Sequence, residues 1–178
     1  LISAYDHNEK NQDPSVIYVL NQKNRKYLTT LVLTNSDNSA NNDLIGSHVG
    51  AMAYDGDGTV YIADSKNTSD SKKYSGCIWK LKTSEIATAV KTGKDAFVTR
   101  VSDRFDVEIN PSFLNYYGGN LFIGNHNKIL DSTDEMMIYG IDREKKTDYT
   151  IQIPGHHLTV LLWMVALVWL AIVCHRVL

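Results

Sequence analysis

The chain has 178 residues, 43% of them hydrophobic and 21% charged, with a formal net charge of −2. That length suits one ordinary domain with a buried core, and the near-neutral balance excludes the strongly basic surface of a nucleic-acid binder. The averages conceal a division, because residues 158–174 carry no charged side chain while residues 1–155 carry nearly all of them.

Taken in chain order, Ile2-Ser3-Ala4-Tyr5-Asp6 already reads as a strand, without an initiator Met or a targeting segment before it. The chain is therefore expected to begin inside a longer protein. A strand follows at 16–20 (VIYVL), then the polar turn Asn21-Gln22-Lys23-Asn24 and an alternating strand at 27–33. Residues 49–54 (VGAMAY) run into Asp55-Gly56-Asp57-Gly58 and then into 61–65 (YIADS). Glycine accepts the positive φ of tight turns, so this is a hairpin signal. An EF-hand calcium loop would need Glu at its twelfth position, where Lys66 stands, so the hairpin turn is the reading adopted. Strands at 77–81 and 97–101 follow, with one turn of helix over 84–90 between them. Residues 113–117, the turn Gly118-Gly119-Asn120, and strands at 121–125, 136–141 and 149–153 complete the series.

These segments recur at about 60 residues. Ile2 to Asp6, Tyr61 to Ser65 and Leu121 to Asn125 correspond, and each is followed by a polar loop and a strand of β-branched and aromatic residues. With strands labelled a to d, residues 1–155 read as b-c-d, a-b-c-d, a-b-c-d. The expected fold is all-β, a partial β-propeller of four-stranded antiparallel blades, with an apolar C-terminal tail. A β-sandwich or another repeating meander is the alternative.

"HVGAMAYDGDGTVYIAD" and "SVIYVLNQKNRKYLTTLVL" resemble secreted bacterial β-propellers of the YVTN, NHL and SMP-30 (gluconolactonase)-like kind, in which an inner strand, an Asp-Gly turn and a second strand ending in a small-polar pair recur. The resemblance covers residues 1–155 and implies a fold of under three blades. It leaves function open, because such folds host hydrolases, lyases and binding modules. The gluconolactonase-like members hold a divalent cation with Glu, Asn and Asp at the channel mouth, and no clear matching Glu is present here.

In a propeller the d-to-a and b-to-c connections open on one face, which is where function is sought first. The candidates there are Asp6, His7, His48, Asp64, Ser65, Asn125 and His126. Asp6, Asp64 and Asn125 offer the hard oxygens that suit Ca²⁺, and His48 or His126 is a candidate general base. Asp or Asn after a strand also commonly caps a turn through its own backbone. The loops 8–15, 66–75 and 128–135 are a candidate recognition rim. Asn67-Thr68-Ser69 matches a glycosylation sequon, and no P-loop, nucleophile elbow, zincin helix or dinucleotide fingerprint occurs. Cys77 and Cys174 suggest neither a metal cage nor a disulfide framework.

The tail, 156–178, begins where the repeat requires a new inner strand. Its 17 uncharged residues, 158–174, are at the short end of what crosses a bilayer, and Trp163 and Trp169 lie near their middle, away from the interfaces. Trp163-Met164-Val165 must be encoded TGG ATG GTN, which from its third base reads GAT GGT, Asp-Gly. A frameshifted copy of the next a-b hairpin, a membrane anchor and a buried core segment are the three readings, and the nucleotide sequence decides the first.

The expected function is a non-enzymatic secreted or cell-surface module binding an unknown ligand or protein at the channel-mouth face, with no nucleic-acid partner and no cofactor. The alternatives are a Ca²⁺-dependent lactonase or esterase-like hydrolase and, if 158–174 is a genuine single-pass anchor, a membrane-tethered sensor domain.

Overall fold

The computed structural model describes residues 1–4, 15–34, 48–65, 76–107, 109–125, 134–140 and 145–153, with Asn125 and the last two segments described through their backbone. The tail and the sequon lie outside these residues. The described chain is mostly β, arranged as three four-stranded sheets.

The first sheet contains β1 (Ile2–Ala4), β2 (Val16–Leu20) and β3 (Tyr27–Thr34) as an antiparallel meander. The middle sheet contains β4 (Val49–Tyr54), β5 (Thr59–Asp64) and β6 (Gly76–Lys82), likewise antiparallel. From β6 the chain enters α1 (Thr83–Thr92) and then β7 (Ala96–Arg100), which joins the first sheet parallel to β3. It returns as β8 (Asp103–Val107), which closes the middle sheet against β6. The third sheet is a meander of β9 (Pro111–Tyr117), β10 (Asn120–Asn125), β11 (Asp134–Gly140) and β12 (Lys145–Ile153).

The second repeat thus differs from the sequence expectation. Residues 97–101 are not the outer strand of their own sheet but the parallel edge of the preceding one, and β8 takes the expected outer place. Parallel pairing needs a long crossover, and α1 supplies it. Ile86, Ala89 and Val90 lie at helical spacing and turn one face of α1 onto the core. Gly93, at φ 65°, ends the helix in the left-handed conformation. The Thr83 N–H, left without an intrahelical partner, donates to the Gly58 carbonyl of the β4–β5 turn at 2.9 Å.

Alternation along β5 and β6 sends side chains to two cores. Val60, Ile62, Cys77, Trp79 and Leu81 pack with Ile17, Val19, Leu31 and Leu33 of the first sheet. Tyr61, Ala63 and Ile78 pack with Leu114, Leu121 and Ile123 of the third. The two central strands of the middle sheet, β5 and β6, are buried on both faces, and for that reason they read as nearly continuous apolar runs. Two hairpin turns follow from their residues. Gly118 and Gly119 both take positive φ, while the Asp55 carboxylate accepts the Asp57 and Thr59 N–H groups at 2.7 and 2.9 Å.

Candidate functional site

The start of β4, the end of β5 and the start of β6 meet at one end of the middle sheet, where Val49 pairs with Asp64 and Asp64 with Cys77. At the same end of the third sheet Pro111 pairs with Asn125. The α1 and glycine-turn end lies opposite.

Asp64 is only 3% exposed. One of its carboxylate oxygens accepts the His48 N–H and the other the Trp79 indole N–H, both at 3.1 Å. Trp79 lies diagonally across from Asp64, two residues beyond its direct partner Cys77 on β6, within reach of a long side chain. The next donor along the chain, the Val49 N–H, gives its hydrogen bond to the buried Ser15 hydroxyl of the first sheet at 3.1 Å. Ser65 closes the arrangement, its N–H donating to the His48 carbonyl at 3.2 Å and its hydroxyl to the same oxygen at 3.4 Å. Ser15, His48, Asp64, Ser65 and Trp79 therefore form one knot that ties β4 to its own sheet and to the sheet before it. A carboxylate that accepts hydrogen bonds from two N–H groups is an effective anchor in a buried place.

Of the residues expected at this face, His48, Asp64 and Ser65 come together, with the His48 side chain half-buried. The Asn125 backbone occupies the place in β10 that Asp64 occupies in β5: Ile123 and Ile62 both face the preceding sheet, and each residue in question lies two positions further on. Asp6, His7 and His126 lie outside the described residues. The register of β1 departs by one residue from the repeat as read in the sequence. Ser3 pairs with Ile17 as Ala63 pairs with Ile78, so Ala4, and not Tyr5, takes the place of Asp64.

Sequence reasoning placed Ser15 at the end of a candidate recognition rim, where the structure buries it fully, and missed Trp79. Their signals were a small hydroxyl residue immediately before a strand, and an indole that needs an acceptor when buried. Among the described residues no group of three or more His, Cys, Asp or Glu side chains is placed to hold a metal ion, and no helix is long and apolar enough to cross a membrane. No protein family, curated protein or solved structure matches this chain.

Proposed function

We propose that this chain is part of a β-propeller acting as a non-enzymatic, secreted or surface-displayed binding module, with its ligand or protein partner engaged at the end of the stack that carries His48, Ser65 and Asn125. The observation supporting the propeller reading is the middle sheet, whose two central strands are buried on both faces and whose strands run in chain order from the edge beside the third sheet's first strand outward to β8. Face-to-face stacking with first strands adjacent is how blades associate.

Binding is favoured over hydrolysis by how the polar groups at this end are used. Both Asp64 oxygens and the Ser65 hydroxyl hold backbone or indole partners, so they fix the inner strand ends, and contact with a ligand falls to the half-buried His48, the exposed Ser112 and the adjoining loops. The rival, a calcium-dependent lactonase or esterase-like hydrolase using Asp6, Asp64 and Asn125 around the ion and His48 or His126 as base, is separated by experiment. Thermal melts with and without Ca²⁺ and a lactone-hydrolysis assay are run on the chain and on Asp64→Asn. Calcium-dependent stabilisation together with hydrolysis lost in the variant would sink the binding reading. Its positive test is an array of oligosaccharides and peptides. Capture is expected to be lost in His48→Ala and Ser112→Arg and kept in Lys94→Ala, at the α1 end. The tethered-sensor reading depends on residues 158–174, and detergent partitioning of the expressed chain tests it.

A further inference from the structure

Cations on the β6–β8 edge are paired with acids, and those at the α1 end are not. Lys80 reaches Asp103 at 3.3 Å and Arg104 reaches Asp106 at 3.9 Å. At the α1 end, the β2–β3 turn carries Lys23, Arg25 and Lys26 with no acidic residue among them, and the end of α1 with the connection after it adds Lys91 and Lys94. The backbone brings these two segments together. The Thr29 hydroxyl donates to the Lys94 carbonyl at 2.8 Å, and the Thr30 N–H donates to the Asp95 carbonyl at 2.9 Å. All five basic residues are exposed, and among the described residues none is in an ion pair.

Local hydrogen bonds fix the turn that displays three of these cations. The Asn21 side chain accepts the Lys23 N–H at 2.9 Å and the Asn24 N–H at 3.3 Å, the Asn24 side chain accepts the Lys26 N–H at 3.0 Å, and the Arg25 N–H donates to the Asn21 carbonyl at 2.7 Å. Arg25 takes φ 59° there, a left-handed conformation that glycine or asparagine adopts at less cost. A strained residue of that kind points to a use for its side chain, and the planar guanidinium fork matches phosphate oxygens. The acidic residues of the same end, Asp55, Asp57 and Glu85, lie by the start of α1, where the Thr83 N–H meets the Gly58 carbonyl. Ten residues of helix span about 15 Å. That exceeds the screening length of about 8 Å at physiological salt, so the acids by the start of α1 leave the cations at its far end largely uncancelled.

We infer that the β2–β3 turn and the end of α1 form a docking face for a bilayer containing anionic phospholipid. Five unpaired cations drawn from two neighbouring connections suit a broad negative surface better than a small enclosed anion, and clusters of roughly four to eight Lys and Arg residues are what such bilayers attract. This face lies at the end opposite His48, Ser65 and Asn125, so docking through it turns the proposed ligand face away from the bilayer. That orientation rests on the surface-displayed reading, whereas the docking itself does not.

The test is co-sedimentation of the 178-residue chain with vesicles of phosphatidylcholine alone and of phosphatidylcholine mixed with phosphatidylglycerol. Binding is expected on the anionic vesicles at roughly 0.1 M salt and is expected to be lost at roughly 0.5 M. Lys23→Glu with Lys26→Glu should abolish it while circular dichroism stays unchanged. Arg25→Gly should weaken it about fivefold, the effect of one cation at such a surface, while the melting temperature rises. A residue serving the fold alone would not lose binding as stability increases. Lys94→Ala should weaken vesicle binding by a similar factor and leave ligand capture intact. The proposal is overturned if neutral vesicles are bound as tightly as anionic ones, as they would be through residues 158–174 alone, or if the folded variants bind as well as the parent. It is equally overturned if the chain binds polyglutamate but not anionic vesicles, which would make the partner an acidic polypeptide, or if it binds neither. None of these outcomes bears on ligand capture at the opposite end.

Discussion

At the residue scale, three positions carry the local geometry. Gly76 opens β6 where the Pro111 ring of the third sheet lies against it: a Cβ added there would come within 2.1 Å of Pro111 Cδ and 2.9 Å of the Asp64 carbonyl oxygen. Neither a proline ring nor a strand backbone yields easily, so Gly76→Ala should cost about 2–3 kcal/mol in a denaturant titration. Asp64→Ala leaves the Trp79 indole and the His48 N–H without the acceptor that joins them, with an expected loss of about 2–3 kcal/mol. Asp64→Asn keeps one acceptor and should lose less. Arg25 holds φ at 59° in the β2–β3 turn, a conformation costing a side-chain-bearing residue about 1–2 kcal/mol. Arg25→Gly should therefore raise stability by about 0.5–1 kcal/mol, after the larger chain entropy of unfolded glycine is subtracted. The Asp55 and Gly118-Gly119 turns were legible in the sequence because their chemistry is local. The Asp64 knot was not, since its partners come from Ser15, His48 and Trp79, residues no short window joins.

At the scale of elements, the instructive difference is β7. Alternation identifies 97–101 as a half-buried strand but does not say which sheet it joins. The helix before it carried that information, since a connection long enough for α1 permits a parallel crossover and a tight turn does not. β8 escaped notice because Asp103, Arg104 and Asp106 are exposed and only Phe105 and Val107 turn inward. Its outward charges are nevertheless organised. The Arg104 backbone N–H, at 2.7 Å, chiefly holds the Asp103 carboxyl below its ordinary value of 3.8, with help from Lys80 at 3.3 Å. A carboxyl depressed in the folded state stabilises it above its ordinary range, and that contribution disappears as pH falls through the lower folded value. Asp103→Asn should therefore flatten the stability profile below about pH 4, and the change should be small because the pair is exposed. Thermal melts from pH 2.5 to 6 measure it. The strand that follows the crossover is fastened to β3 at both of its ends. The Thr29 hydroxyl donates to the Lys94 carbonyl at 2.8 Å, the Thr30 N–H to Asp95 at 2.9 Å, and the Val101 N–H to Thr34 at 2.9 Å.

At the scale of the whole molecule, the two faces of the first sheet are of unequal fate. In the middle sheet an almost uninterrupted apolar run, Cys77-Ile78-Trp79 with Leu81, has both faces covered. The run Val16-Ile17-Tyr18-Val19-Leu20 in β2 is equally apolar, yet Ile17 and Val19 alone are fully buried. Its other face continues through Ile2 opposite Tyr18 and through Val16 and Val32 to Val98. Ile2, Tyr18, Tyr27 and Val98 are all exposed there, with the rings of Tyr18 and Tyr27 edge to face. Strands apolar on both sides are built for burial on both sides, and an exposed apolar sheet face favours association. The chain on its own should therefore self-associate in a concentration-dependent way, seen as a rising weight-average mass in sedimentation equilibrium. Tyr18→Thr with Val98→Lys, both at exposed positions pointing away from the middle sheet, should restore a monomer while leaving the melting transition within a few degrees of the parent. If that double variant associates as strongly as the parent, this face is not what drives association. If the parent is monomeric at high concentration, the face is tolerated in water, and the apolar character of β2 then needs another cause.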